Sequence, residues 1–393
     1  MGPAVAGRAT YVASASPLAD PYNDARPSSR QGFSGRQDQF KIFSSLSVAL
    51  PEGWQTGYMT VLLAGCGDLG TEAGLRFAAA GHRVVGWRRS PEKLPAAIEG
   101  VAADLGSAEL PPIPADTTAV VVAIAADSPT EEAYSAAYVD GLSNVLDAVL
   151  ASGANVRRVL FVSSTAVYGD AGGGWIDERT TPEPGGFSGR IIREAEELLH
   201  SRLRGTGITP VVLRLGGIYG PGRTRLIDQV RGGTAVIPAA SRFTNRIHRD
   251  DAAAAIVHLC TMGTVPAAVY LGVDNEPAEL GDVLEFLAAE LGLPAPAAES
   301  TGAARAASGG EAAATGGASA SGGTTGASAS GGGTGASASG GTTGASAAGG
   351  EPSRGGNKRA SNGLIRSTGF EFQYPSFREG YRAVLAGIGV RHP

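Results

Sequence analysis

One ten-residue segment carries the main signal for the architecture: residues 61–70 are Val61-Leu62-Leu63-Ala64-Gly65-Cys66-Gly67-Asp68-Leu69-Gly70. A short apolar run leads directly into Gly-x-Gly-x-x-Gly, and a helical pattern follows. In such a turn the first glycine permits a sharp bend, the second lets the backbone approach a pyrophosphate, and the third lets helix and strand pack closely. Free N–H groups at the helix N-terminus favour phosphate oxygens. We therefore predict dinucleotide binding by Gly65, Gly67, Asp68, Leu69 and Gly70, the alternative being a plain glycine turn.

Downstream of this segment, short β-branched runs alternate with helical stretches. Strands are predicted at 61–64, 83–87, 119–123, 158–163, 210–215 and 268–273. Helical patterns lie between them, such as Ile191, Ala195, Leu198 and Leu199 on one face, and a later helix is predicted at about 280–291. This alternation is typical of βαβ units. It predicts an α/β fold, a doubly wound parallel sheet of the Rossmann type, with a small C-terminal substrate lobe.

The end of the second strand indicates which dinucleotide is bound. Proteins that prefer NAD place an acid about 20 residues beyond the glycine loop, where it binds the ribose 2′-hydroxyl, whereas an arginine nearby favours the 2′-phosphate of NADP. At this position the chain has Gly86-Trp87-Arg88-Arg89-Ser90, without an acid. We predict NADP(H) rather than NAD, with Arg88 and Arg89 as the phosphate ligands. A solvated basic turn is the alternative.

Two segments do not fit the alternation of strands and helices. Residues 1–58 lack sustained periodicity, and Met59 stands directly before the first strand, so we expect a disordered leader or an over-extended start at 1–58. Residues 297–356 are expected to be a low-complexity linker, because from 301 to 350 every residue except Arg305 and Glu311 is Gly, Ala, Ser or Thr. The remaining chain is expected to form an NADP-binding domain at 59–222 and a substrate lobe at 223–296 and 357–393.

Composition argues against several classes of partner. A formal net charge of −5 gives no general attraction to nucleic acid, and the longest apolar run, 119–126, is far shorter than the ~20 residues that span a bilayer. Two cysteines, Cys66 and Cys260, fit a reducing compartment, so a cytoplasmic location is expected. We predict no metal site. The oligomeric state stays open, with a homodimer as one alternative.

Motifs further along the chain resemble a known family. They are Tyr138-Val-Asp-Gly-Leu-Ser-Asn-Val-Leu146, Ser163-Ser-Thr-Ala-Val-Tyr-Gly-Asp170, Leu213-Arg-Leu-Gly-Gly-Ile-Tyr-Gly-Pro-Gly222, Arg246-Ile-His-Arg-Asp-Asp251 and the tail from Asn357. The chain thereby resembles the extended short-chain dehydrogenase/reductase superfamily, specifically the NAD-dependent epimerase/dehydratase family. The resemblance implies a dinucleotide on the N-terminal domain and a substrate, often a nucleotide sugar, against a smaller C-terminal domain. It also implies that Asp104 approaches the adenine, with a plain turn as the alternative.

The resemblance is incomplete at the catalytic residues. The family's usual chemistry needs a Ser or Thr, a Tyr that moves a proton while hydride passes to or from the nicotinamide, and a Lys four residues after that Tyr. Ser164 matches the catalytic hydroxyl, but none of the three lysines in the chain follows a tyrosine at that spacing. The resemblance implies that Arg190 keeps the positive charge at the ribose. Tyr168 is the nearest substitute acid, the alternative being a packed residue that lines the pocket, and the chain is expected among the atypical members.

Basic residues after the fifth predicted strand indicate the charge of the substrate. The chain from 223 to 249 contains Arg223, Arg225, Arg231, Arg242, Arg246, His248 and Arg249. On the implied fold this segment faces the substrate cleft, so several of these residues are candidates for binding an anionic small molecule. Two functions follow as hypotheses. One is an NADP-dependent oxidoreductase or epimerase of a sugar-like or anionic substrate, and the other is an NADP(H)-binding sensor or interaction protein with little or no turnover.

Overall fold

A computed structural model describes residues 58–299 and 356–393 of the chain. The leader expected at 1–58 and the linker expected at 297–356 lie almost wholly outside the described residues. The helices are α1 (Asp68–Ala79), α2 (Glu131–Tyr134), α3 (Gly141–Ala151), α4 (Phe187–Leu203), α5 (Arg225–Arg231), α6 (Arg249–Thr261), α7 (Leu280–Glu290), α8 (Gly363–Ser367) and α9 (Phe377–Leu385). A six-residue π-helix, Ser135–Asp140, joins α2 to α3.

Seven parallel strands form the central sheet, and this confirms the predicted Rossmann-like α/β fold. They are β1 (Thr60–Ala64), β2 (Arg83–Arg88), β3 (Glu99–Ala102), β4 (Thr117–Val122), β5 (Arg158–Ser164), β7 (Thr209–Leu215) and β12 (Val269–Gly272). Their order is β12-β7-β5-β4-β1-β2-β3. The order reverses between β1 and β4, and ligands of such sheets bind where it reverses, outside the carboxyl ends of the strands.

The other strands are short and pair two by two. They are β6 (Trp175–Ile176) with β15 (Arg359–Ala360), β8 (Gly217–Tyr219) with β11 (Arg246–His248), β9 (Val236–Ile237) with β14 (Ala297–Ala298), and β10 (Phe243–Thr244) with β13 (Ala278–Glu279). The sequence signal missed β3, whose residues Glu-Gly-Val-Ala lack an apolar run because the strand lies at the sheet edge and is largely exposed.

Apolar side chains cover both faces of the sheet. Helices α3 and α4 pack on one face, through residues such as Leu146 and Leu199, and α1 and α6 pack on the other, through residues such as Phe77 and Ile256. A third and smaller cluster joins α5, α7 and α9. The segment after 222, which was assigned to the substrate lobe, also supplies α6 and the edge strand β12, which was predicted at 268–273, so the sheet extends past that boundary. Among the described residues, no helix is both long and apolar enough to cross a membrane.

Candidate cofactor and substrate site

The glycine loop between β1 and α1 adopts a backbone that only glycine fits. Gly65 has a φ of +84°, and the N–H groups of Gly65 and Cys66 donate to the carbonyl of Trp87 at 3.2 and 3.0 Å. A Cβ at Gly65 would stand 2.7 Å from the carbonyl oxygen of Ala123, and one at Gly70 would stand 3.0 Å from that of Gly65. The loop is therefore pressed against the ends of β2 and β4.

Gly67 differs from its neighbours because the space beside it is open. It precedes the first residue of α1, and a Cβ there would meet no atom within 4 Å. It borders a cavity of about 630 Å³ at the carboxyl ends of β1, β2 and β4. A free helix N-terminus beside an unobstructed backbone suits a pyrophosphate. The residues present therefore fit a dinucleotide.

The two arginines that are predicted to bind the 2′-phosphate line this first cavity. Ser90 and Lys93 line it beside them, Asp104 and Asp127 are its acids, and the end of β2 contributes none. The two arginines differ in their partners. Arg89 makes two hydrogen bonds to the carboxylate of Asp127, at 2.7 and 2.8 Å, whereas Nη1 of Arg88 donates to the carbonyl of Pro393 at 3.0 Å.

Asp104 also lines the first cavity, where its predicted contact with adenine is geometrically open. Its Oδ1 accepts a hydrogen bond from the N–H of Gly106 at 3.1 Å, so the same carboxylate stabilises a local turn. Both interpretations of Asp104 thus remain compatible with its position.

The side chains of Asp68 and Leu69 do not line the first cavity, so the predicted binding of the cofactor by these two residues concerns their backbone N–H groups. The Asp68 carboxylate accepts hydrogen bonds from Arg249 at 2.9 Å, Arg223 at 2.8 Å and the backbone N–H of His392 at 3.2 Å. Burial alone would raise the pKa of Asp68, but the bonds from Arg223 and His392 outweigh it and hold the pKa below the usual value. Leu69 is 7% exposed and belongs to the core beneath α1.

A second cavity, of about 900 Å³, lies at the carboxyl ends of β5 and β7. Ser164 and Thr165 form its wall at the end of β5. Its basic residues are Arg223, Arg225, Arg242 and Arg246. Because β5 is the neighbour of β4 in the sheet, these hydroxyls stand next to the strand end that borders the first cavity.

Two arginines of the second cavity have buried donors without partners. Nε of Arg242 and Nη1 of Arg246 make no hydrogen bond, and Arg246 is only 5% exposed. Nη2 of Arg246 donates to Thr244 at 2.6 Å. A buried unmet donor on a cation is costly. Both arginines line the cavity, so they are candidates for binding an anionic group there.

Ser164 is available for chemistry. Its Oγ accepts a hydrogen bond from the N–H of Ala166 at 3.1 Å, which fixes the rotamer of the side chain. A hydroxyl that accepts one bond keeps its own proton to donate. The predicted role of Ser164 at the reacting oxygen is therefore compatible with its place on the cavity wall.

Tyr168 lines neither cavity, contrary to the prediction that it substitutes for the missing acid. The residue is only 3% exposed. Its hydroxyl donates a hydrogen bond to the carbonyl of Asp177 at 3.0 Å and accepts one from Nη1 of Arg214 at 2.6 Å. Arg214 is in turn bound to Glu196 by two hydrogen bonds, of 2.8 and 2.6 Å. Burial raises the pKa of Tyr168. Tyr168 thus belongs to a buried network behind β5. It is packed, as in the alternative interpretation, but it does not line the pocket.

Arg190 also stands away from both cavities, contrary to its expected contact with the ribose. It lies on the exposed side of the first turn of α4, where it forms an ion pair with Glu131. The other side of that turn leaves no room for a side chain, because a Cβ at Gly189 would collide with the carbonyl of Ala166. The start of α4 therefore presents neither an acid nor a cation to the end of β5.

The sequence interpretation did not identify two tyrosines, Tyr219 and Tyr381, that line the second cavity. Their rings stack with centroids 4.4 Å apart. Burial raises the pKa of both hydroxyls. Tyr219 lies within a motif that was recognised, so this position was available from the sequence, whereas Tyr381 lies in the tail, 162 residues away. In the described part of the chain, no group of three or more His, Cys, Asp or Glu side chains is placed to hold a metal.

Known proteins resemble this chain in sequence and in fold. Residues 61–272 match the sequence model of the NAD dependent epimerase/dehydratase family. Protein YeeZ of Escherichia coli K12 is 32% identical over 213 residues, which are 51% of this chain and 72% of YeeZ. A "putative NAD-dependent epimerase/dehydratase" from Methylobacillus flagellatus is 33% identical, with a TM-score of 0.58 over 84% of this chain and 99% of its own. The human epimerase family protein SDR39U1, solved with NADPH, has the same fold at 17% identity, with a TM-score of 0.60 over 84% of this chain and 100% of its own.

Proposed function

This chain belongs to the NAD dependent epimerase/dehydratase family, and we propose that it is an NADP(H)-dependent oxidoreductase or epimerase of a small anionic, sugar-like substrate. The observation that carries this proposal is a pair of cavities at the carboxyl ends of neighbouring strands of the sheet. One is lined by Arg88 and Arg89, which suit a 2′-phosphate, and the other is lined by Ser164 together with four arginines.

The form of the cofactor is argued from the residues of this chain. Structures of the same fold hold NADPH in one case and NAD in others. Here Arg88 and Arg89 stand where an acid would bind the 2′-hydroxyl of NAD. Arg89 uses both of its Nη groups on Asp127, whereas Arg88 uses only Nη1, on Pro393, so Arg88 keeps more free donors and is the main phosphate ligand in our proposal.

The nicotinamide, when bound, supplies or accepts the hydride. The protein's own contribution is to hold the substrate oxygen by Ser164 and Thr165 and its anionic group by Arg242 and Arg246. The Ser164 hydroxyl is already oriented by the N–H of Ala166, so little side-chain freedom is lost when a substrate oxygen accepts its proton.

A screen of anionic and sugar-like carbonyl compounds, followed by the absorbance of NADPH, tests this function. We expect turnover that falls at least about 100-fold in Ser164→Ala, the size of loss typical for a proton-transfer contact. Thr71→Ser, a conservative change in a buried position outside both cavities, serves as the matched hydroxyl control and keeps its activity. Turnover that survives Ser164→Ala would contradict the assigned role.

One observation favours a second candidate, an NADP(H)-binding sensor or interaction protein. Tyr168 and Arg190 both have other partners, so neither side chain is placed to transfer a proton at the end of β5. This candidate predicts tight NADPH binding, measured by cofactor fluorescence, with no turnover of any compound in the screen. It also predicts that Ser164→Ala leaves NADPH affinity unchanged.

A further inference from the structure

Asp68, the first residue of α1, carries a carboxylate beside the helix N-terminus that suits a pyrophosphate. The first N–H groups of a helix have no partner within the helix, and the N–H of Asp68 is one of them. A phosphate oxygen bound there would lie no more than about 8 Å from the carboxylate of the same residue, given the lengths of the side chain and of a hydrogen bond. An uncompensated charge on Asp68 would therefore repel the pyrophosphate.

Asp68 belongs to a cluster of ion pairs between α1 and α6. The acids of this cluster are Asp68, Glu72 and Asp250, and its arginines are Arg76, Arg223 and Arg249. Nitrogens of Arg249 lie 2.7 to 3.6 Å from all three carboxylates. His392 adds a ring contact to Glu72 and a backbone N–H to Asp68. Without Arg223, three carboxylates would share two arginines.

The two arginines that pair with Asp68 differ in their surroundings. Arg249 is 1% exposed and divides its donors among two carboxylates and the carbonyl of Val390. Arg223 lies in the loop after β8, its side chain is 38% exposed, and its Nε donates to Asp68 at 2.8 Å. Arg223 also lines the second cavity. It therefore links the substrate side of the molecule to the glycine loop.

From this arrangement we infer that Arg223 is a positioning residue of the cofactor site: it neutralises the charge of Asp68, so that the N-terminus of α1 stays favourable for a pyrophosphate. The inference rests on the proposed function, because it takes the glycine loop as the dinucleotide site. It separates Arg223 from Arg242 and Arg246, which are assigned to the anionic group of the substrate. The pyrophosphate is common to NADPH and NADH, so Arg223 acts on both cofactors equally.

The test measures the Kd of NADPH and NADH, by cofactor fluorescence, for Arg223→Gln and Arg223→Lys. We expect Arg223→Gln to raise both Kd values by the same factor, roughly three- to thirtyfold, as one unit charge about 8 Å from a phosphate implies. Arg223→Lys keeps the positive charge and should recover most of this affinity. Arg225→Gln is the matched control, because Arg225 is an exposed arginine that lines the same cavity, and it should leave both Kd values nearly unchanged.

Removing the charge of Asp68 as well tests whether that carboxylate causes the loss. The double variant with Arg223→Gln and Asp68→Asn should bind both cofactors about as tightly as the unaltered chain, because it removes one charge of each sign. A double variant as weak as Arg223→Gln would overturn the inference, and so would an equal loss in Arg223→Lys. A loss confined to NADPH would also overturn it, since Arg223 would then bind the 2′-phosphate.

Two measurements separate this inference from unfolding and from the proposed function. An exposed ion pair contributes little to stability, so Arg223→Gln should keep the thermal midpoint of the unaltered chain. If Asp68→Asn folds poorly, the comparison of Gln with Lys at position 223 still decides the outcome. If the unaltered chain binds neither cofactor, the proposed function fails together with this inference. If it binds NADPH and Arg223→Gln binds as tightly, the inference alone is overturned.

Discussion

The cofactor loop and the end of β5 are neighbouring regions of one sheet, but they keep different parts of the family pattern. The loop keeps its glycines and its approach to β2 and β4, and these depend on backbone geometry. The end of β5 keeps Ser164, while Tyr168 and Arg190 are bound elsewhere. Dinucleotide binding at such a loop depends on the conformation of the backbone, whereas proton transfer depends on the positions of individual side chains.

The largest expected effect lies in the network behind β5. Replacing Arg214 with Met leaves the Glu196 carboxylate buried without its main partner, and we expect unfolding free energy to fall by about 3–5 kcal/mol. Denaturant unfolding measures this loss. Arg193→Met is the matched control, since Arg193 bonds the same carboxylate at 3.1 Å from a partly exposed position. It should cost less than about 1 kcal/mol, and equal losses would show that the network is not the structural element described above.

The glycine loop provides the next contrast. Gly65→Ala would place an alanine at a positive φ and bring its Cβ into collision with the carbonyl oxygen of Ala123. We therefore expect the free energy of unfolding to fall by about 1–3 kcal/mol and NADPH binding to be lost. Gly67→Ala adds a methyl group in open space, and should weaken NADPH binding without changing the thermal midpoint. If Gly67→Ala binds NADPH normally, the cradle does not lie where the cavity indicates.

The two arginines that line the first cavity are tested by exchanging each in turn. Arg88→Ala should weaken NADPH binding by about 1.5–3 kcal/mol, the range for a hydrogen bond to a charged group, and leave NADH binding unchanged. Arg89→Ala should have a smaller effect because Asp127 already occupies its two Nη groups. Isothermal titration calorimetry with NADPH and NADH measures the binding of both variants. A larger loss of NADPH binding in Arg89→Ala than in Arg88→Ala would make Arg89 the phosphate ligand.

The smallest expected effect distinguishes packing from catalysis at Tyr168. Tyr168→Phe removes one partner of Arg214, at a cost of about 1–2 kcal/mol in stability. It should leave the turnover of any substrate found in the screen unchanged at a temperature where the variant is folded. A large loss of turnover in the folded variant would restore Tyr168 as the acid and remove the contrast between the two regions.

The sequence was sufficient for the features that depend on local pattern. Short sequence patterns predicted the glycine loop, six of the seven sheet strands and helix α7. The absence of an acid after β2 is likewise visible within five residues of the sequence. Strand β3 was missed because an exposed edge strand needs no apolar run. The partners of Asp68 come from residues 223, 249 and 392, and the partner of Arg88 is residue 393. Such pairings depend on how distant segments meet, and no spacing in the sequence encodes them.

The contact between Gly189 and Ala166 also limits how this protein could be re-engineered. In many enzymes a lost catalytic residue can be restored by a single substitution, because its site persists after the residue is gone. Here the backbone carbonyl of Ala166 fills the space that a side chain at position 189 would need, whereas a Cβ at Gly186 would meet no atom within 4 Å. Position 186 stands four residues before Arg190, which is the spacing of the usual Tyr and Lys. A redesign of this turn therefore has room for a larger residue at 186, while one at 189 would require a shift of α4, which packs on the sheet.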